Sequence, residues 1–367
     1  MKAISYKLRT NLMLALVTGA LAFLLTAGGA GGQTVQMSTP PPPPHPTPTP
    51  KPTPSPSENL DDVDVVRVES NLVVVPVSVT DLSGQPVLGL TTKDFRLLEE
   101  GREQEIAKIG DPEQVPLDIA ILLDVSGSVD ARFGFEQQAA SLFLKQVLKA
   151  GDRATVFAID RISRHELPLD TADNAAAKIM AIGPAKGPTA FYDTVVDAVR
   201  YLAENTPEEH RRVIVVVSDG EDNYSDKVKK AIGTTNESQA AVTPQTKQAL
   251  YNKILAEVQR EVQKAEVTFY SINPSGLSLR LNIISQRAQD GMSQLATATG
   301  GTSFVPEQEV NFDAVFRQIA AELRSQYLLQ YYSPNESPGK YLRLNVSVPV
   351  KPQLKVRSRQ GYYAKKK

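Results

Sequence analysis

Four short apolar runs in the middle of the chain constrain its fold more than any other feature. They occupy residues 117–123, 154–159, 213–217 and 267–272. Runs of this length are typical of strands that are buried on both faces, as in a parallel sheet. Amphipathic stretches lie between and after them, at about 191–204, 247–264, 290–299 and 312–324, and Ala139, Leu142, Phe143 and Val147 share one further helical face. The alternation predicts an α/β fold with a doubly wound, mostly parallel sheet over 115–325.

The two flanks of this region have the alternating pattern of half-buried strands. Valines recur at every second position from Val73 to Val79, and Leu342, Leu344, Val346 and Val348 repeat the pattern near the other end. Neither flank has enough strands to be stable alone. We therefore predict that 63–113 and 327–363 fold together as a small β-sandwich, into which the central domain is inserted.

The first 62 residues predict export rather than a globular fold. Residues 1–33 combine Lys2, Lys7 and Arg9 with an apolar stretch and small residues, which is the layout of a secretory signal peptide. An uncleaved membrane anchor is the alternative. Residues 34–62 form a linker, with eleven of the 26 prolines between 40 and 56, too rich in proline for a packed core. We expect a secreted, periplasmic or cell-envelope protein.

Composition limits the chemistry of any site. The 40 basic and 41 acidic residues give a formal net charge of −1, so no overall basic character favours nucleic acid as a partner. The chain has no cysteine and three histidines, which excludes thiolate metal sites and cysteine nucleophiles. Carboxylates and hydroxyls are left as the functional groups.

Such groups follow the predicted strands at three places. Asp124, Ser126 and Ser128 follow the first apolar run, Thr189 lies in a loop that enters a helix, and Asp219 follows the third run. The carboxyl ends of parallel strands meet at one edge of a sheet, where ligands bind. Oxygen ligands of low total charge suit Mg²⁺, with Mn²⁺ or Ca²⁺ as alternatives. The sequence therefore predicts a metal site made of these five residues.

The same residues carry a family resemblance. The segment Asp124-Val125-Ser126-Gly127-Ser128, with Thr189 and Asp219-Gly220, resembles the metal-ion-dependent adhesion site of von Willebrand factor A domains. The wider layout, including Arg359-Gln360-Gly361-Tyr362, is similar to secreted "VWFA-related" proteins of acidobacteria. The resemblance implies that Ser126 and Ser128 bind the ion directly. Thr189 would bind directly or through water, Asp124 and Asp219 largely through water, and a partner's carboxylate would complete the shell.

The sequence is compatible with three functions. The favoured one is a non-enzymatic adhesion module that captures an exposed Asp or Glu of a protein partner through Mg²⁺. A structural or envelope-assembly factor with a vestigial metal site is the second. A Mg²⁺-dependent hydrolase is disfavoured because no Asp-x-Asp pair begins at Asp124 and no histidine lies near the motifs. The segment 224–265 is longer than the usual link in the family, and we expect an inserted mobile loop at 224–246, before the helix at 247–264. That loop is either solvated filler or a specificity loop.

Overall fold

The computed structural model of the protein describes residues 71–126, 133–185, 187–274, 283–305, 311–335 and 337–365. The predicted signal peptide, the linker, the start of the first flank and Ser128 lie outside these ranges. No helix within them is long and apolar enough to cross a lipid bilayer.

The strands are β1 Leu72–Thr80, β2 Arg96–Glu99, β3 Arg102–Gln104, β4 Lys108–Gly110, β5 Leu117–Asp124, β6 Arg153–Ile159, β7 Arg164–Asp170, β8 Arg211–Val217, β9 Val267–Ile272, β10 Ser303–Phe304, β11 Tyr327–Tyr332, β12 Tyr341–Ser347, β13 Lys355–Ser358 and β14 Gly361–Tyr363. The helices are α1 Phe133–Val147, α2 Ala172–Ala181, α3 Phe191–Asn205, α4 Asp226–Ile232, α5 Asn236–Ala240, α6 Pro244–Lys264, α7 Ile283–Thr299 and α8 Phe312–Ser325. A short 3₁₀ turn spans Thr92–Asp94.

The central sheet has the strand order β10-β9-β8-β5-β6-β7 within the described residues. All neighbours are parallel except β6 and β7, which are antiparallel. The four apolar runs are the strands β5, β6, β8 and β9, so the predicted fold class is confirmed. Because β5 and β8 are adjacent and parallel, their carboxyl ends lie side by side.

The central sheet is buried on both faces, which explains its continuous apolar runs. Ile119, Ile121 and Leu123 of β5 pack in one core, to which α1, α2 and α8 contribute. Ala120 and Leu122 point the other way, into a core shared with α3, α6 and α7. Side chains alternate along a strand, so a strand between two helical layers needs apolar residues at successive positions.

The flanks form two further sheets, with the orders β13-β1-β11-β4 and β14-β12-β2-β3 in the part of the chain that the structure describes. Every neighbouring pair in them is antiparallel. The alternating valines of β1 share one buried cluster with Leu97, Leu329 and Leu344. Strands that precede and follow the central region thus pair with each other, as the fold prediction requires.

Two local expectations differ from the structure. Leu142 was expected on the buried face of α1, but it is 43% exposed, and Leu144 is buried instead. The segment expected to be an inserted loop contains α4 and α5. It is helical because Val228 and Ile232, four residues apart, bury one face of α4.

Candidate functional site

The carboxyl edge of the central sheet, meaning the edge at which β5, β6, β8 and β9 end, holds the first part of the candidate site. Asp124 is the last residue of β5 and is fully buried. One oxygen, Oδ1, accepts a hydrogen bond of 3.0 Å from the Ser126 backbone N–H. The other, Oδ2, accepts one of 2.6 Å from the Ser218 hydroxyl, which follows β8. Asp124 therefore connects the first and third motifs.

Thr189 connects the second motif to the third. It lies just before α3, and its hydroxyl donates a 2.8 Å hydrogen bond to the Glu221 carbonyl. Its backbone N–H donates to the Asn223 side-chain oxygen at 2.9 Å. Asp219 belongs to the same loop, where its Oδ1 accepts a 3.0 Å hydrogen bond from the Glu221 N–H. The loop at 218–223 therefore contacts both of the other motifs.

The structure accordingly brings four of the five predicted residues to the carboxyl edge. Asp124, Ser126 and Thr189 are buried there, and Asp219 is partly exposed. The fifth, Ser128, lies outside the described residues. That these residues bind a metal ion stays a prediction.

The electrostatics of Asp124 favour a nearby cation. Burial raises the pKa of this carboxyl to about 6, the hydrogen bonds from Ser218 and Ser126 partly oppose that rise, and the negative charge of Asp219 adds to it. A cation beside Asp124 would stabilise the ionised form and offset both the burial and the repulsion.

The kinds of oxygen present also fit a hard divalent ion. Among the described residues, no group of three or more His, Cys, Asp or Glu could hold a metal. A site at the carboxyl edge would therefore depend on hydroxyl oxygens together with its two carboxylates. Hard cations such as Mg²⁺ accept such a set and retain water in the remaining positions.

Asp222 is a supporting residue that the sequence reasoning missed. Its buried carboxylate accepts hydrogen bonds from the N–H groups of Tyr192 at 2.8 Å and Ser225 at 3.0 Å, and also from the Ser225 hydroxyl. Burial raises its pKa to about 6. Asp222 thereby joins the start of α3 to the 218–223 loop. The available signal was an acidic residue three positions before Ser225, just ahead of a helix.

Gly220 is needed for the shape of this loop. Its φ of +76° is in the left-handed region, and a Cβ there would lie 2.8 Å from the Met292 methyl carbon. A residue with a side chain would be strained at this φ and would displace Met292. The Asp-Gly pair at 219–220 therefore serves the turn that follows Asp219.

Comparison with known proteins gives one family match. Residues 119–221 match the family model described as von Willebrand factor type A domain, and this segment includes all five predicted site residues. The central sheet is mostly parallel and has helices on both faces. Residues 119–221 therefore belong to a von Willebrand factor type A domain. No curated protein matches the chain.

Solved structures resemble it at low sequence identity. The von Willebrand factor type A protein from Catenulispora acidiphila is 14% identical, with a TM-score of 0.44 over 82% of this chain and 64% of that one. The vWF domain of the type V pili tip protein Mfa5 from Porphyromonas gingivalis is 15% identical, with a TM-score of 0.41 over 56% and 94%. An aerotolerance-related membrane protein from Bacteroides fragilis is 14% identical, with a TM-score of 0.36 over 56% and 98%.

Proposed function

We propose that this protein is an extracytoplasmic adhesion module that binds an acidic group of a protein partner through a divalent cation at the carboxyl edge. One observation carries the proposal: hydrogen bonds join the three separate motifs, from Asp124 to Ser218 and from Thr189 to Glu221. Asp, Ser and Thr at strand ends also cap helices. If these residues served only as helix caps, the three motifs would not need to contact one another.

Each residue has a defined task in this proposal. Asp124, Ser126, Ser128, Thr189 and Asp219 would hold Mg²⁺, and the ion would supply the positive centre that attracts a partner's carboxylate. Asp124 keeps the turn to Ser126 and the Ser218 hydroxyl in place through its two oxygens. The hydroxyl ligands are neutral, so two carboxylates leave the centre able to attract a further anion.

The described histidines support a function other than hydrolysis. His165 stacks on Phe157 with ring centroids 4.4 Å apart, and its Nε2 lies 2.9 Å from the Thr155 hydroxyl. His210 pairs with Asp118 near the start of β5, at the opposite edge of the sheet. Both have structural contacts away from Asp124. Mg²⁺-dependent hydrolysis and a vestigial site in an assembly factor remain the alternatives.

Capture of a partner tests the proposal. The immobilised full chain is exposed to the native envelope fraction with Mg²⁺ or with EDTA. We expect a protein that binds only with Mg²⁺ and is lost with Thr189→Val, which removes one predicted ligand oxygen. Thr206→Val is the matched control, since Thr206 is also buried but lies at the far end of α3. Capture that EDTA and Thr189→Val leave unchanged would contradict a metal-dependent module.

A further inference from the structure

A tyrosine beside the candidate site is flanked by two cations. The Arg161 guanidinium carbon lies 5.1 Å from the centroid of the Tyr224 ring, and the Lys229 ammonium lies 4.6 Å from it. The Tyr224 backbone N–H donates a 3.0 Å hydrogen bond to the Thr189 carbonyl. We call the ring and its two cations the Arg161–Tyr224–Lys229 cluster. A backbone hydrogen bond thus connects this cluster directly to Thr189, a predicted metal ligand.

Two members of this cluster, Arg161 and Lys229, line a groove of about 660 Å³ that also has walls from α3, α4 and α6. Val196, Ile254 and Val258 form its apolar part. Ile162, which also lines the groove, is 64% exposed beside Arg161. An exposed isoleucine next to the apolar part of the groove offers contact area for a side chain from outside.

The charges at the groove favour a negatively charged ligand. Within the described ranges, Arg161 is paired with no carboxylate, and the groove residues Arg200, Lys230 and Arg260 are exposed cations. The acidic residues of the walls are mostly engaged. Their contacts are Glu257 with Lys227, Asp226 with Lys229, Glu261 with Lys264, and Asp193 with the Asp226 N–H. Asp197, the fifth acidic residue of the groove, is exposed and lies in no ion pair among the described residues.

We propose that the Arg161–Tyr224–Lys229 cluster is a second contact for the acidic protein partner. The proposal rests on the proposed function and names the partner's chemistry. The partner segment would carry two acidic residues, one facing the metal site and one facing Arg161, where it would share Lys229 with Asp226. An apolar side chain of the same segment would enter the groove. Cation–π contacts hold both cations beside the ring, so fewer side-chain conformations are lost when a carboxylate arrives.

The probe is a library of random dodecapeptides displayed on phage and selected on the immobilised full chain with Mg²⁺. We expect enrichment of sequences with two acidic residues and an apolar residue. Enrichment of peptides without paired acids would overturn the proposal, as would binding of a single-stranded oligonucleotide at the same affinity. That second result would indicate a general polyanion site.

A selected peptide is then measured against charge-reversal variants. Exposed charge pairs change affinity by about two- to fivefold each, so Arg161→Glu combined with Lys229→Glu is expected to weaken binding by about tenfold or more. Arg102→Glu with Lys108→Glu, exposed cations of the flank sheets, is the matched control and is expected to leave binding unchanged. Thermal unfolding of each variant checks that it is folded.

Tryptophan fluorescence and EDTA distinguish a failure of the second contact from a failure of the metal-dependent function. The chain has no tryptophan, so Tyr224→Trp creates a single reporter at the cluster, whose emission is expected to shift when the peptide binds. Binding that is lost in EDTA but unaffected by the charge reversal would overturn the second contact and keep the metal site. Binding that is lost on charge reversal but indifferent to EDTA would support the second contact and overturn the metal-dependent function.

Discussion

At the residue scale, Asp124 and Asp222 are buried carboxylates whose hydrogen bonds come from neutral groups. Asp124 accepts from a backbone N–H and a serine hydroxyl. Asp222 accepts from three backbone N–H groups and a serine hydroxyl. For both, loss of hydration is the largest influence and raises the pKa to about 6. Their ionised forms are therefore costly at neutral pH unless positive charge is close.

Asp222→Asn is expected to change how stability depends on pH. The pKa of Asp222 rises from 3.8 in the unfolded chain to about 6 in the folded one. Its protonated form thus adds stability that is complete below the unfolded pKa and is lost as the pH rises through about 6. The amide that replaces the carboxyl in the variant does not titrate. The stability of the wild type relative to the variant is therefore expected to fall by about 3 kcal/mol between pH ~3.5 and ~7.

Urea unfolding across this pH range, without divalent ions, measures the difference. Asp81→Asn is the control of opposite sign, because hydrogen bonds from Ser83 and Gln85 lower the pKa of Asp81. The stability of the wild type relative to Asp81→Asn is therefore expected to decrease as the pH falls. If the free energies of unfolding of the wild type and Asp222→Asn differ by the same amount at every pH, burial does not raise the pKa of Asp222.

At the element scale, the central strands were predictable because burial on both faces leaves a continuous apolar signature. β7 lacks this signature: it is an edge strand, antiparallel to β6, with Pro168 and irregular register. Its residues are at most partly buried, so no apolar run marks it. The carboxyl edge was predictable because the carboxyl ends of parallel strands share one edge of a sheet, whatever the strand order. The contacts of Asp222 were not, since they depend on how the loop at 218–223 turns.

α8 and β13 are connected by a buried ion pair. The Glu322 side chain is 3% exposed, lies 2.5 Å from Arg357 Nη2 and accepts a 2.9 Å hydrogen bond from the Tyr270 hydroxyl. Arg357→Ala would leave a buried carboxylate without its cation, which typically costs about 3–5 kcal/mol. We expect a loss of that size in the free energy of unfolding measured in urea.

Arg343→Ala serves as the comparison. Arg343 pairs with Glu100 at 3.4 Å, but its side chain is 77% exposed. Solvent screens such a pair, so its removal is expected to cost less than about 1 kcal/mol. If Arg357→Ala and Arg343→Ala lower the free energy of unfolding equally, burial does not determine how much the Glu322–Arg357 pair stabilises the fold.

At the scale of the whole molecule, the central domain is inserted between two halves of the flanking sheets. Within the described residues, the strands that neighbour β1 are β11 and β13, which follow it, and an isolated bridge also joins Thr80 to Pro86. The Gln360 N–H also donates a 3.0 Å hydrogen bond to the Ala298 carbonyl at the end of α7. We propose that 63–113 and 327–363 form one domain and 115–325 the other.

Deletion of 327–367 tests this division. It removes both hydrogen-bonding neighbours of β1, so the amides of Val75 and Val77 are expected to lose protection from hydrogen exchange. Amides of β5 serve as the internal reference, because its neighbours β6 and β8 are retained. Full protection of β1 after the deletion would contradict the proposed division.

Calorimetric titration of Mg²⁺ into the full chain and into Asp124→Ala tests the central claim most directly. We expect saturable binding at one site in the wild type, and no binding in the variant, because Asp124 connects two of the three motifs. Thr206→Val is expected to bind as the wild type does, and thermal unfolding confirms that each variant is folded. Equal Mg²⁺ affinity in wild type and Asp124→Ala, or no binding by the wild type, would contradict a metal site at the carboxyl edge.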